Sequence, residues 1–394
     1  MKSTRPTRAR SNTATRQVGP VYLDCNATTP VEPVVQEGVL RFLAEEFGNA
    51  GSRTHEYGAR AKQAIERARD QVAAIVGVNR EDVVFTSGAT ESNNLAVLGL
   101  QEHGTKTGRK HIVSTQIEHK AILEPLSHLA TRGFDITLVP PAASGIVDPD
   151  AVRAALREDT LLVSVMHVNN ETGVIQPISD IARHLEGHHA YFHVDAAQSF
   201  GKGIPGLEIP RIDMLSASAH KIFGPKGVGA LIVRRRGFDR LPLQPLFFGG
   251  GQERGLRPGT LPVPLIVGFG IASELAQRDT QKRLDVCRSR KHAALRALSV
   301  LDPAFNGDPD RAVAHTINVS FPGVDSEAVL LALKDLVAIS NGSACTSHSY
   351  APSHVLKAMQ LPTERIASAV RLSWCHLTPE PDWTAIVQAI ARLR

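Results

Sequence analysis

Between Val21 and about Thr260 the chain alternates short apolar runs with amphipathic segments, and this alternation limits the fold more than any other feature. Residues 57–76 place apolar side chains at spacings of three and four, which predicts a helix. Apolar runs of strand length recur at 83–85, 111–114, 136–139, 161–165, 191–194, 214–216 and 230–233, with helical patterns between most of them. This order predicts an α/β fold with a mostly parallel sheet and helices on both faces.

After Pro262 the pattern changes. One long helix is expected over 265–298, followed by a strand at 315–321, a helix at 326–334, a strand at 369–374 and a last helix at 383–393. This mixture predicts a smaller α+β domain. The expected division is a basic arm at 1–19, a large domain at 20–261 and a small C-terminal domain at 262–394.

The charge is concentrated at the start of the chain. The first 20 residues hold five basic side chains and no acidic ones, whereas the rest carries basic and acidic residues in equal number. We expect a disordered, solvated arm. Contact with nucleic acid is an alternative, and a transit peptide is less favoured because the arm lacks an apolar stripe.

Two absences limit the class of protein. The sequence has no apolar run of about 18 residues, so we expect no membrane-spanning helix. The four cysteines are scattered without a C-x-x-C pair, which argues against a zinc ribbon or a disulfide scaffold. This usage fits a reducing cytosol, and we predict a cytoplasmic protein with no structural metal.

Three segments carry residues suited to chemistry. In residues 85–93 a strand runs into Ser87 and Gly88 and then into a helix, an arrangement that binds phosphate well but also describes an ordinary turn. Asp195 ends an apolar strand, where ligands bind in α/β sheets, although it could be a helix N-cap. Lys221 ends another strand beside His220; a partly desolvated amine there would attack carbonyls, and the alternative is a surface lysine.

Together the three segments are more specific than each alone. A phosphate-binding turn, a carboxylate and a lysine that forms a Schiff base, in this order on a parallel sheet, are the protein side of a pyridoxal phosphate site. From Tyr22-Leu23-Asp24-Cys25-Asn26-Ala27-Thr28-Thr29-Pro30 to the strand with Arg371, the chain resembles the cysteine desulfurases, fold type I enzymes of the class V aminotransferase group.

The resemblance implies a role for each matching residue. Lys221 would hold the cofactor covalently and move protons, Asp195 would face the pyridine nitrogen, and His119 would stack on the ring and help in acid–base steps. Gln198 and Asn170 would bind the ring-hydroxyl side. Arg371 would bind the substrate carboxylate, and Asn170 would also contact the substrate. The phosphate would be bound by Ala89, Thr90, Ser218 and His220, and by Thr260 of the neighbouring subunit, which implies a homodimer.

Cys345 decides the reaction that the resemblance implies. It lies in Ser340-Asn341-Gly342-Ser343-Ala344-Cys345-Thr346-Ser347, a polar stretch that resembles the long mobile loop of group I desulfurases. L-Cysteine would become L-alanine, with a persulfide on Cys345 that passes to a sulfur-acceptor protein. The acceptor would serve iron–sulfur assembly, tRNA thiolation or DNA phosphorothioation. Cys25, Cys375 and His376 are interpreted as structural, with a second sulfur relay at Cys25 as a lesser alternative.

Two other functions remain open at this point. A selenocysteine lyase, or another class V lyase, would share the cofactor residues but need not keep a cysteine like Cys345. Alternatively, the chain is mainly a partner-binding sulfur-delivery subunit of a nucleic-acid modification complex, which only the basic arm favours.

Overall fold

The computed structural model describes residues 19–341 and 352–394; the predicted arm and the segment with Cys345 therefore lie outside, or almost wholly outside, the described residues. The strands are β1 Val21–Tyr22, β2 Val83–Thr86, β3 His111–Thr115, β4 Asp135–Val139, β5 Thr160–Met166, β6 Tyr191–Asp195, β7 Met214–Ser218, β8 Gly229–Val233, β9 Ala304–Phe305, β10 Thr316–Ser320, β11 Val337–Ala338 and β12 Ala369–Ser373.

Helices separate most of these strands. They are α1 Pro33–Ala44, α2 Glu56–Ala74, α3 Ala89–Leu98, α4 Gln101–Thr107, α5 Lys120–Ala130, α6 Pro149–Ala154, α7 Ile178–His184, α8 Val263–Arg278, α9 Thr280–Leu298, α10 Ser326–Leu333, α11 His354–Ala358, α12 Thr363–Ala367 and α13 Trp383–Ala391. No helix in the described part of the chain is long and apolar enough to cross a lipid bilayer.

Seven strands form the central sheet in the order β2-β8-β7-β6-β5-β3-β4. Only β8 is antiparallel to its neighbours; the pairs between β7 and β4 are all parallel. The predicted α/β fold with a mostly parallel sheet is confirmed. Because β2, β3, β5, β6 and β7 point the same way, their carboxyl ends meet at one edge of the sheet.

The C-terminal region differs from the sequence expectation: the short elements β9, β11, α11 and α12 were not predicted, and one predicted helix is divided. The helix expected over 265–298 is two helices, because Asp279 leaves the helical conformation (φ −104°, ψ 10°). Helix α8 packs its apolar residues into the cluster beneath the central sheet, whereas Cys287, Ala294 and Leu298 of α9 join a second cluster. The change between the two cores thus falls near Asp279, and the domain division at 262 stays a prediction.

The second cluster also includes the first described strand. β1 pairs in parallel with β11, and the Cys25 amide donates to the Ser373 carbonyl over 3.1 Å. β12, β10 and β9 form an antiparallel sheet of three strands beside this pair. Residues 21–25 therefore attach the start of the described chain to β11 and β12 of the C-terminal region. They place the residues from Asp24 to Asn26 at the edge of the central sheet where β6 and β7 end.

Candidate active site

A cleft of about 500 Å³, partly open to solvent, lies at the carboxyl edge of the central sheet. It brings together most of the residues predicted from the sequence, although they come from six separate segments of the chain. The predicted residues that line it are Ala89, Thr90, His119, Asn170, Asp195, Gln198, Ser218, His220, Lys221 and Arg371.

One end of the cleft is the turn from β2 into α3. No side chain caps the start of α3, so the amides of its first turn, at Ala89 and Thr90, are not used by a cap. A Cβ placed on Gly88 would lie 3.7 Å from the Ser218 hydroxyl. The turn after β2 and the turn after β7 therefore leave a small polar space between them. Backbone amides and the positive end of a helix dipole suit a phosphate group there.

His220 borders the same end of the cleft. Its Nδ1 lies 3.1 Å from the Thr28 hydroxyl. Burial and, next, the charge of Lys221 lower the pKa of His220 to about 4, so its ring is neutral at pH 7. A neutral ring can donate one hydrogen bond to a phosphate while its other nitrogen faces Thr28.

Asp195 lies at the end of β6, in the middle of the cleft. The side chain is buried; one oxygen accepts a hydrogen bond from the Asn93 amide over 2.7 Å, and the other accepts one from the Ala197 N–H over 2.9 Å. A buried carboxylate needs a positive partner. The protonated nitrogen of a pyridine ring would supply that charge.

Lys221 follows β7 and reaches across the cleft to the segment after β1. Its amine donates hydrogen bonds to the carbonyls of Asn26 and Ala27, the second over 2.9 Å. These two hydrogen bonds hold the amine between Asp195, at the end of β6, and the segment that follows β1. An amine in this position is available to a carbonyl carbon that enters the cleft.

His119 caps helix α5, and its Nδ1 accepts the Ala121 N–H over 3.0 Å. In a neutral ring the proton therefore lies on Nε2. Burial is the largest cause that lowers the pKa of His119, which keeps the ring neutral and suited to stack on an aromatic cofactor. The preceding residue, Glu118, is fully buried, and burial raises the pKa of its carboxyl to about 8.

Arg371 lies on β12, far from the other residues in sequence. Its guanidinium donates to Asp24 over 2.6 Å and to the Asn170 carbonyl over 3.0 Å. Its buried Nε has no hydrogen-bond partner among the described residues. An unused N–H on a buried guanidinium is suited to a carboxylate ligand.

Three predicted residues need separate comment. Gln198 lines the cleft, but its amide donates to the Asn26 carbonyl over 3.0 Å, so its contact with a ring hydroxyl stays a prediction. Thr260 is exposed and does not line the cleft of its own subunit. Cys345 lies outside the described residues.

Sequence reasoning missed Asn26 and Asn93. The Asn26 side chain donates to the Asn170 carbonyl over 3.0 Å and accepts from the Thr316 hydroxyl over 3.1 Å, so it joins both domains at the cleft. No local pattern marks it. Asn93 could have been found, because it lies one turn after Ala89 on the same helix face.

These features fit pyridoxal phosphate. The uncapped helix start matches its phosphate, the buried Asp195 matches its ring nitrogen, and the Lys221 amine matches its aldehyde. The chemistry of these residues therefore suits this cofactor.

A model of the Aminotransferase class-V family matches residues 21–384, and the chain belongs to this family. Within it, the chain is 44% identical over 374 residues to the cysteine desulfurase IscS of Vibrio cholerae serotype O1 (strain ATCC 39541), covering 94% of this chain and 92% of that one. It is 45% identical over 380 residues to the IscS of Methylococcus capsulatus, covering 95% and 93%. The chain is thus a pyridoxal phosphate-dependent enzyme of the cysteine desulfurase group.

Solved structures agree with this assignment. The crystal structure of DndA from Streptomyces lividans superposes with a TM-score of 0.79 at 49% identity, covering 90% of this chain and 99% of that one. A structure titled as a NifS-like protein gives a TM-score of 0.85 at 35% identity, covering 95% and 98%. The structure of SspA in complex with cysteine gives 0.78 at 38% identity, covering 90% and 98%.

Proposed function

We propose that this chain transfers sulfur from L-cysteine to the thiol of Cys345 and releases L-alanine. One cysteine molecule and one thiol become one alanine molecule and one persulfide, so atoms and electrons balance. The observation that carries the proposal is that one cleft contains Lys221, Asp195, the uncapped start of α3 and the buried guanidinium of Arg371. The SspA structure, which is titled as a complex with cysteine, supports the choice of substrate.

The residues of the cleft divide the work of holding the cofactor. Lys221 would bind its aldehyde, Asp195 would keep a proton on its ring nitrogen, and the first-turn amides of α3 would bind its phosphate together with Ser218 and His220. His119 would stack on the ring. When bound, pyridoxal phosphate supplies an electron sink for the charge that develops at the substrate α-carbon.

Arg371 and Asn170 orient the substrate. The Arg371 guanidinium binds the α-carboxylate through its unused Nε, while its bonds to Asp24 and to the Asn170 carbonyl keep it from rotating. Fixing the carboxylate would direct the α C–H bond toward the Lys221 amine. Lys221, released when the substrate amine takes its place, would take the α-proton and return a proton to the product.

Cys345 performs the sulfur transfer. Its thiolate attacks the substrate sulfur, the Cβ–S bond breaks, and the electrons of that bond remain with the carbon skeleton that becomes alanine. The thiolate is the reactive form of a cysteine. A selenocysteine lyase would not require this thiol, and the name shared by the curated relatives favours desulfuration.

We also propose that the enzyme is a homodimer in which Thr260 reaches the cofactor phosphate of the partner subunit. Two features support it. Thr260 is exposed and outside its own cleft, and helix α1 exposes a row of large apolar side chains, among them Leu40 and Leu43 at 62% and 58%. Apolar side chains grouped in this way mark protein–protein contacts.

The persulfide passes to an acceptor protein, either of iron–sulfur cluster assembly or of nucleic-acid sulfur modification. Three buried cysteines are free thiols, which supports a cytoplasmic location. If residues 1–16 contact nucleic acid, deleting them will reduce retention on a DNA column, most at low salt. If the arm is only a solvated segment, the deletion will change nothing.

Two variants of the purified enzyme test the proposed reaction. Lys221→Ala should lose the covalently held cofactor and its absorbance, together with alanine formation. Cys345→Ser should keep the cofactor absorbance and its response to L-cysteine, but form no persulfide. Cys287→Ser removes another thiol and serves as the control, which should make alanine and persulfide as the wild type does. Persulfide formation by Cys345→Ser at the wild-type rate would contradict the role of Cys345.

A further inference from the structure

A second, narrow cavity lies behind the active-site lysine. Lys221 borders both this cavity and the cofactor cleft. Its walls include Cys25, Cys287 and Cys375, which are free and buried. The proposed reaction uses none of these thiols.

Two of the thiols are in contact. Cys25 and Cys375 pack in one buried cluster, and both lie near one hydroxyl, because Thr378 Oγ1 is 3.8 Å from the first sulfur and 3.4 Å from the second. Their backbones are neighbours as well, since Asp24 forms a parallel bridge with Ser373. A disulfide requires cysteines whose backbones are neighbours, and the bridge meets this requirement.

Cys375 has the surroundings of a thiolate. Its sulfur accepts a hydrogen bond from the Thr378 hydroxyl over 3.4 Å. The neighbouring Cys25 thiol and, after it, Thr378 lower the pKa of Cys375 against the opposing effect of burial. The same contact with Cys375 raises the pKa of Cys25. The pair therefore consists of one nucleophilic sulfur and one protonated thiol beside it.

Cationic side chains line the same cavity. Lys202 places its amine 3.4 Å from the Gln198 amide oxygen, and Arg283 has two buried nitrogens without a hydrogen-bond partner among the described residues. Arg283 pairs with Glu32 through its remaining nitrogen. Positive charge near a thiol favours the thiolate.

Cys25 is connected directly to the substrate and cofactor residues. The residue before it, Asp24, forms the ion pair with Arg371. The residue after it, Asn26, accepts hydrogen bonds from Lys221 and Gln198 through its carbonyl. A new covalent bond at Cys25 would therefore pull on the groups that orient Arg371 and Lys221.

We propose that Cys25 and Cys375 form a redox-active dithiol, a modification site separate from Cys345. A hydroperoxide converts this dithiol to a disulfide, and the disulfide weakens the binding of the substrate L-cysteine. The Cys375 thiolate attacks the peroxide oxygen, the O–O bond breaks and an alcohol or water leaves. Cys25 then displaces water from the resulting sulfenic acid to form the S–S bond. Two electrons pass from the thiols to the peroxide, and a reducing dithiol restores the pair.

The first test is a map of the disulfide in the holoenzyme. The enzyme is treated with hydrogen peroxide, its remaining thiols are alkylated, and it is digested without reductant for mass spectrometry. The expected product joins the Cys25 and Cys375 peptides with the loss of two hydrogens and separates on reduction. It should be absent from Cys25→Ser and present in Cys287→Ser, the matched control within the same cavity. No joined peptide, or one that contains Cys287 instead, would overturn the proposal.

The second test measures the effect on substrate binding, and this part rests on the proposed function. In a Cys345→Ser background, L-cysteine is titrated into the holoenzyme before and after oxidation while the cofactor absorbance is followed. We expect the half-saturating concentration to rise about fivefold or more and to return on reduction. The variant that also carries Cys25→Ser should show no change. A joined peptide with unchanged half-saturation would refute the coupling, whereas failure of the proposed function would appear as no cysteine response even before oxidation.

Discussion

At the scale of single residues, the buried carboxyl groups of Asp195 and Glu118 differ in their surroundings. Asp195 has a hydrogen-bond donor on each oxygen. Glu118 accepts two hydrogen bonds on one oxygen, from the Thr115 hydroxyl over 2.7 Å and from the Met166 N–H over 2.9 Å, and none on the other among the described residues. With the pKa of Glu118 raised to about 8, chiefly by burial, its carboxyl is neutral at pH 7. The site thus avoids a second buried negative charge near Asp195.

Glu118→Gln tests this protonation state. Between the ordinary glutamate pKa of about 4.3 and the folded value of about 8, the folded wild type holds a proton that the unfolded chain has lost. Wild-type stability should therefore fall as pH rises through this window, by at most about 1.4 kcal/mol per pH unit, whereas the amide of the variant does not titrate. The stability of Glu118→Gln relative to wild type, measured by urea unfolding at pH 5 to 8, should increase with pH.

Glu118→Ala separates protonation from hydrogen bonding. This variant leaves the Thr115 hydroxyl and the Met166 N–H without an acceptor, so we expect a loss of about 1–3 kcal/mol relative to Glu118→Gln at every pH. A difference between Glu118→Gln and wild type that does not vary with pH would mean that Glu118 is ionised in the folded enzyme.

At the scale of elements, the turns after β2 and β7 approach each other closely because a glycine lies between them. Gly229 begins β8 and pairs with Thr86 on one side and Ser218 on the other. A Cβ there would lie 2.5 Å from the Ala217 carbonyl oxygen and 2.6 Å from Gly88 Cα. The backbone can thus bring both turns to the proposed phosphate only if residue 229 has no side chain.

Gly229→Ala should weaken cofactor binding. The added methyl group meets backbone atoms, so the Gly88 turn must move, and we expect cofactor affinity to fall at least about tenfold, equivalent to about 1.4 kcal/mol. Affinity is measured by titrating pyridoxal phosphate into the apoenzyme and following absorbance. Gly51→Ala is the control, because its Cβ would meet only the end of the Asn49 side chain at 3.2 Å. Equal affinity in Gly229→Ala and wild type would show that this close approach does not shape the phosphate site.

At the scale of the whole molecule, the proposed dimer accounts for two features that one subunit leaves unexplained. Helix α1 packs Val35 inward but exposes Val34, Leu40 and Leu43. Thr260, which the family resemblance assigns to a phosphate, lies on the surface away from its own cleft. An interface that covers α1 would remove the apolar surface from water and would give Thr260 a ligand in the other subunit.

The double variant Leu40→Glu, Leu43→Glu should shift the enzyme toward monomers in sedimentation experiments, because burying two new charges at an interface is unfavourable. We expect its affinity for pyridoxal phosphate to fall in parallel, since each cleft loses Thr260 of the partner. Val300→Glu, which alters a side chain that is 72% exposed on another element, should leave the dimer intact. A wild-type monomer, or a double variant that stays dimeric, would contradict this interface.

The sequence by itself determined the central sheet and several cleft residues, because both depend on local patterns. Apolar runs of strand length marked β2 to β8, and Asp195 and Lys221 were recognisable because each ends such a run, where ligands bind in parallel sheets. The start of α3 was visible for the same reason, as small residues followed a strand.

Only the tertiary structure decided which distant groups meet. The pairing of β1 with β11 and the contacts of Asn26 with Asn170 and Thr316 join segments that no periodic pattern relates. The break at Asp279 depends on helices α8 and α9 packing into different cores. The contact of Cys25 with Cys375 depends on the bridge between Asp24 and Ser373. Hydrophobic periodicity specifies which face of an element is buried, but the partner of that face is set by packing across the whole fold.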